Sequence, residues 1–353
     1  MLTPKRGPVR PLDQHSEIGL PVRKLKHAAQ LTAHREAGYH CIMTMRSHPW
    51  LRGAYLLALL VLTLGSTGLA QSERASATIS VAVSLQPWAS IVEQIGGDRV
   101  EVAVLLPSGA SPHSYEPSPS QVISLSRADL IVLNGGIDAW LDRLLEAAAG
   151  DASTIRLMDS VDFVRIQEVD AHDVDADDHH DGDGAANPHI WLDPVIVASA
   201  VPRLVAALEA VDAAGSFDYE RNAAQLIRDL ELLDSEVSNI LDSVRGSAIV
   251  PFHDAWGYFA RRYELDIVAT LEPYAGRQPS AKYIVETVDA IQRAGVDVIF
   301  DERQLSDRTA RVVAESAGVG VVTLDPIGGE PGVERYQDLI LENAKAISRA
   351  LRR

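Results

Sequence analysis

From residue 78 onward the chain alternates between two hydrophobic rhythms. Period-two or continuously apolar runs at 78–84 (Thr-Ile-Ser-Val-Ala-Val-Ser), 100–106 (Val-Glu-Val-Ala-Val-Leu-Leu), 130–133 (Leu-Ile-Val-Leu) and 154–158 predict strands. Between them, three- and four-residue spacing predicts helices over 88–95, over a segment opened by Ser118-Pro119, and over 138–149. Helices are then expected at 195–211 and 219–244. In the second, Leu226, Leu230, Leu233, Val237, Ile240 and Leu241 line one face and charged residues line the others. At roughly 39 Å it reads as an exposed brace. The alternation then restarts, with strands at 247–252, 266–270, 296–300 and 320–324 and helices at 255–263, 280–294, 307–317 and 333–351.

Two βα units on either side of one long helix predict an α/β fold with mainly parallel sheets. It divides into an N-terminal lobe (71–216), a linker helix (217–244) and a C-terminal lobe (245–353). A cleft is expected outside the strand C-termini. One stretch breaks the pattern: within a loop at 159–188, the segment Asp170 to Gly184 holds seven Asp together with His172, His179 and His180. Mutual repulsion and scarce apolar surface make it a mobile loop by expectation.

The N-terminal region reads as an address. Arg46 and Arg52 precede an apolar run from Ala54 to Gly65 and small residues ending at Ala70, the layout of a secretory signal peptide at 43–70. The run is too short to span a bilayer. Residues 1–42 lack periodicity and are expected to be a mis-start or non-native extension. Residues 71–353 carry 23 basic and 46 acidic groups, a net of −23, which disfavours nucleic acid and anionic lipid as partners. Cys41, the only cysteine, precedes the folded region. A disulfide framework, a cysteine-rich zinc site and a thiol nucleophile are thereby excluded, as is a lipid-bearing cysteine after the apolar run.

Any metal site must therefore use histidine and carboxylate. Outside the acidic loop, three histidines follow residue 71: His113 after the second expected strand, His189 before a helix, and His253 directly after a strand. Each taken singly is explained as well by a hydrogen-bonded, partly buried ring. Together, two of them lie at the mouths of sheets in different lobes, and neutral imidazole is the commonest metal ligand. A tetrahedral site wants a fourth donor, and Asp325 ends the 320–324 strand. It reads equally well as an Asp-Pro turn starter. Asp301, Glu302 and Asp307 are rivals, Asp307 being better explained as a helix start.

The strings Ser111-Pro-His-Ser-Tyr-Glu-Pro-Ser-Pro119, Asn134-Gly-Gly-Ile-Asp-Ala-Trp-Leu141, Asn187-Pro-His-Ile-Trp-Leu-Asp-Pro194, Phe252-His-Asp-Ala-Trp-Gly-Tyr-Phe259 and Leu324-Asp-Pro-Ile-Gly328 occur in this order over 77–351. They resemble the metal-specific solute-binding proteins of bacterial ABC importers, most of all the periplasmic zinc-binding subgroup. The resemblance implies two lobes joined by a rigid helix, with the ion held by His113, His189 and His253 and with Asp325 at the carboxylate position. Manganese-type members tend to place Glu where His253 stands, which tilts the expectation toward Zn²⁺, in line with ligand softness. Ser111 stands where relatives often carry Asp. The Asp-rich loop is shorter than the His-rich insertion of zinc members, leaving His172, His179 and His180 as an auxiliary metal-collecting loop or a solvated one.

The resemblance further implies a non-catalytic, monomeric, periplasmic or extracytoplasmic protein that passes zinc to a membrane permease driven by a separate ATPase, with a zinc metallochaperone as a further candidate partner. Its alternatives are a manganese- or iron-specific member of the same family and a zinc hydrolase. For the hydrolase, Glu116 and Glu272 are general-base candidates by adjacency alone, and no His-Glu-x-x-His string occurs. An adhesin on the same scaffold is a third reading, without a motif of its own.

Overall fold

The structure, a computed structural model, describes residues 78–166, 186–273 and 276–352. The expected signal peptide at 43–70, the extension at 1–42 and the loop histidines His172, His179 and His180 lie outside the described residues.

The N-terminal half is built on β1 (Ile79–Val83), α1 (Gln86–Gly96), β2 (Val100–Val104), α2 (Pro119–Arg127), β3 (Leu130–Leu133), α3 (Asp142–Ala148), β4 (Ser153–Arg156) and the single turn α4 (Leu157–Ser160). Its four strands are all parallel in the order β2-β1-β3-β4, with Ile79 opposite Val100, Val81 opposite Leu130 and Leu130 opposite Ser153. Both faces are covered, as a parallel sheet requires. Val81, Val83, Leu130 and Val132 face a central core, whereas Ala82, Ile131 and Leu133 pack with Leu125 and Leu141 on the other side. At the head of α2, Ser118 stands in the N-cap position and its backbone N–H donates to the Gln121 side chain, as the Ser-Pro signal implies.

Two long helices follow, α5 (Pro194–Val211) and α6 (Ser216–Leu241). Then come β5 (Ala248–Ile249), α7 (Gly257–Tyr263), β6 (Asp266–Ile267), α8 (Ala281–Ala294), β7 (Val298–Glu302), α9 (Arg308–Ala317), β8 (Gly320–Leu324) and α10 (Tyr336–Leu351). Strands β5 and β6 pair in parallel, as do β7 and β8. The Phe300 N–H donates to the Val250 carbonyl and brings the two pairs together in the order β6-β5-β7-β8, the same succession as in the first sheet. Strands β5 and β6 are shorter than the hydrophobic pattern suggests. Beyond them, single bonds from Leu271 N–H to Pro251 O and from Glu272 N–H to Phe252 O continue the pairing irregularly toward the site.

The exposed-brace reading of the long helix needs correction. Tyr219, Ala223, Leu226, Leu230, Leu233, Val237 and Leu241 are buried on α6, which packs on α5, α1 and α10. These belong to one continuous core that also takes in Val81 and Val83 from the first sheet and Ile249, Phe300 and Leu324 from the second. The charged residues occupy only its outward face. Strand β7 is also displaced from the expected 296–300, reaching Glu302, which moves that carboxylate onto the strand end.

Candidate metal centre

Order reversal between β1 and β3 opens a crevice at their C-terminal ends, where Ser84 and Asn134 lie. Asn134 is fully buried: its N–H donates to the Ser84 Oγ and the Asp138 carboxylate, and its Oδ1 accepts from the Trp88 indole. Its side-chain amide then donates to the Pro188 carbonyl, fixing the segment that carries His189. Asn187 grips the same segment from the other side. Its Oδ1 accepts from both the backbone N–H and the Nδ1 of His189, at 3.0 and 2.9 Å, and its Nδ2 donates to the carbonyl of Asp254, next to His253. The Trp191 indole donates to the Pro326 carbonyl, tying this segment to the loop after β8.

His113 arrives on the loop after β2, where turns closed by Ala110 N–H to Pro107 O and Ser114 N–H to Ser111 O bend the chain back toward the crevice. His253 follows the short strand β5. The three rings converge: His113 Nε2 and His253 Nε2 each lie 3.2 Å from His189 Nε2. Their ligating nitrogens all fall within 4.8 Å of one another, and among the described residues this is the group of at least three metal-ligating side chains so assembled. For zinc–nitrogen bonds of about 2.0–2.1 Å, a tetrahedron places its nitrogens about 3.3 Å apart. The two 3.2 Å separations found are close to that value.

Hydrogen bonding fixes the tautomer of His189. Asn187 Oδ1 can only accept, so His189 carries its proton on Nδ1 and leaves the Nε2 lone pair facing the other rings. His253 Nδ1 lies 2.8 Å from Glu302 Oε2, which orients that ring in the same sense. Burial, reinforced by the charge of His253, holds the His113 imidazole down at about 3, and burial holds His189 well below the usual histidine range. His253 differs: burial lowers it, but the charge and hydrogen bond of Glu302, with Asp254 and Glu272, outweigh that and raise it overall. Two rings are thus kept neutral by desolvation and the third is tuned by a carboxylate. The space among them is about 10 Å³, lined also by Ser111, Glu302, Gln304, Leu305 and Ile327.

The structure does not bring Asp325 into this group of donors. Its Oδ1 accepts from the Gln304 amide at 2.6 Å and from the Ile327 and Gly328 N–H groups, while Arg303 Nε stands 3.8 Å from Oδ2. Of the rivals, Glu302 stands behind His253, and Asp307 sits at the start of α9, 3.4 Å from Arg311. Glu272 is buried with its carboxyl pushed up by desolvation, and it accepts from Gly276 N–H and Thr309. The orienting roles of Asn134, Asn187 and Glu302 escape sequence reasoning. Asn134 and Asn187 do open two of the recurring strings, which is the signal that could have found them.

Two parallel sheets of like strand order, with imidazoles from both halves meeting at the strand ends, define a metal-binding α/β protein. The chain belongs to the family described as zinc-uptake complex component A, periplasmic, which matches residues 81–350, within the metal-specific solute-binding proteins of bacterial ABC importers. It is 28% identical over 274 residues to the manganese-binding lipoprotein MntA of Halalkalibacterium halodurans, covering 75% of this chain and 86% of that one. It is 26% identical over 286 residues to the zinc-binding lipoprotein AdcA of Streptococcus pneumoniae, covering 78% of this chain but 56% of AdcA, so it spans little more than half of that relative. A crystal structure of ZnuA superposes with a TM-score of 0.68 at 29% identity, over 78% of this chain and all of the other.

Proposed function

We propose that the protein captures Zn²⁺ outside the cytoplasm with His113, His189 and His253 and hands it to the membrane permease of an ABC importer driven by a separate ATPase. The supporting observation is the 3.2 Å spacing of the ring nitrogens. In this reading the chain is exported through the signal sequence at 43–70, acts as a monomer and performs no catalysis. Its two sheets are the lobes 71–216 and 245–353, on either side of 217–244. A zinc metallochaperone is a candidate donor, and His172, His179 and His180 form an auxiliary collecting loop.

Capture proceeds by exchange of hydration water for imidazole nitrogen. The space among the rings, about 10 Å³, has room for one water-sized sphere, so a bound ion keeps little of its hydration there. Burial keeps His113 and His189 neutral while His253 is raised, so His253 is the ring at which a proton competes with the ion, and protonation there favours release. The fourth ligand in this reading is the Asp325 carboxylate, whose Oδ2 is buried without a hydrogen-bond partner.

The MntA relative supports a second reading, in which the cargo is Mn²⁺. An all-imidazole trio favours Zn²⁺. Competition of the two ions at matched free concentrations on protein lacking residues 1–70 separates them. Zinc preference is expected; manganese preference with the three histidines intact overturns the zinc assignment.

A further inference from the structure

We propose that Arg303 competes with the captured ion for the Asp325 carboxylate, so that the protein carries a tethered cation which loosens its own hold on zinc. The proposal rests on the reading of Asp325 as the fourth ligand and deepens it. Sheet register sets the contact. Strands β7 and β8 pair in parallel with Glu302 opposite Leu324, and one residue further on the Arg303 N–H donates to the Leu324 carbonyl. Arg303 therefore leaves the sheet beside Asp325, and its Nε stands 3.8 Å from Asp325 Oδ2.

The two oxygens of this carboxylate have different surroundings. Oδ1 accepts from the Gln304 amide and from the Ile327 and Gly328 N–H groups. Oδ2 is buried and makes no hydrogen bond. At 3.8 Å the guanidinium is an ionic neighbour of Oδ2 and not a hydrogen-bond donor to it. A carboxylate oxygen withdrawn from water calls for a positive partner, and the guanidinium and a divalent ion are rivals for this one. The guanidinium also repels a second cation that arrives at the same oxygen. Its own hold is loose: the Arg303 side chain is 55% exposed, against 11% for Asp325. Pairs open to water on one side contribute little, so the ion displaces the guanidinium and loses only a small part of its affinity in doing so. Adjacent residues at the end of β7 thus act in opposite directions. Glu302 supports one ligand, His253, while Arg303 weakens another, the one charged member of the proposed set.

The test measures zinc affinity of the exported protein by chelator competition. Arg303→Gln keeps a polar side chain and removes the charge, and it should bind zinc about 2- to 5-fold more tightly than wild type, the fold-change that corresponds to an exposed ion pair. Arg303→Lys keeps the charge and should stay near wild type. The gain in Arg303→Gln should shrink between about 0.01 M and about 1 M salt, because ions screen a guanidinium that water reaches. In an Asp325→Asn background the same substitution should give no gain, since the contested charge is gone. Near-ultraviolet circular dichroism confirms that each variant is folded. Wild-type or weaker binding by Arg303→Gln overturns the proposal, as does Arg303→Lys binding as tightly as Arg303→Gln. A gain that persists at high salt, or one undiminished in the Asp325→Asn background, overturns it too. Failure of the underlying reading would show differently: Asp325→Asn alone would then bind zinc with wild-type affinity, where a loss is expected.

Discussion

Glu302 Oε2 lies 2.8 Å from Nδ1 of His253, and both side chains are almost wholly buried. The carboxylate fixes which nitrogen of the ring carries the proton and makes the other a better donor. Glu302→Gln keeps an acceptor but removes the charge. Zinc affinity is expected to fall by about 10- to 100-fold. In metal-free protein the His253 titration, followed by imidazole NMR resonances, should move down from its raised position. An unchanged titration would show that the carboxylate does not govern the ring.

Proton competition follows from the same three rings. His113 is held at about 3 and His189 well below the histidine range, so neither takes up a proton near neutrality. His253 is raised, so it binds one first as pH falls, and zinc must displace that proton. Zinc affinity, measured by chelator competition, should decline as pH falls through the raised titration of His253, with one proton released per ion below it. For metal-free protein the signs oppose each other. The raised His253 favours the fold in acid and loses that contribution as pH rises through its folded value. The two lowered rings favour the fold above the usual histidine pKa, and their contribution drains away as pH falls toward about 3. Affinity that stays flat as pH falls from neutrality into the ordinary histidine range would contradict a role for His253 as proton carrier.

Asn187 joins His189 to the Asp254 backbone through three hydrogen bonds. Asn187→Ala strands those partners, and a loss of about 1–3 kcal/mol in urea unfolding of the metal-free protein is expected. The zinc off-rate should rise as well, because the His189 tautomer is no longer enforced. A variant with wild-type stability and wild-type zinc kinetics would show the contacts to be incidental.

Gly328 adopts φ 74°, and its N–H donates to Asp325 Oδ1. A Cβ there would meet the Val333 carbonyl oxygen at 2.9 Å. Gly328→Ala therefore combines left-handed backbone strain with a close approach, and thermal unfolding should report about 1–3 kcal/mol of lost stability. Alanine tolerated without loss would mean that the loop relaxes freely around Asp325.

The strands at 79–83 and 130–133 were legible because parallel strands buried on both faces read as nearly continuous apolar runs, and that at 320–324, mostly exposed, because of its β-branched run Val321-Val322-Thr323. The three histidines were legible because each stands in a string of its own, His113 in the loop after β2, His189 ahead of a helix and His253 soon after β5. What periodicity could not show was pairing that depends on distant partners. Residues 247–252 look like one strand, yet only Ala248–Ile249 is regular, since the remainder bends toward His253. The buried face of α6 was visible as a stripe, but that it completes one core with both sheets is a property of packing. Asp325 was favoured as a donor by its place after β8. Its Oδ1 accepts from Gln304, Ile327 and Gly328 while its buried Oδ2 has no hydrogen-bond partner, a contact set that spacing alone does not encode.

The most direct measurement is an anomalous difference map, collected at the zinc edge, from crystals of the zinc-loaded protein. One peak equidistant from Nε2 of His113, His189 and His253, at about 2.0–2.1 Å from each, is expected. A peak elsewhere, or the three rings turned away from one another around an empty space, would contradict the assignment.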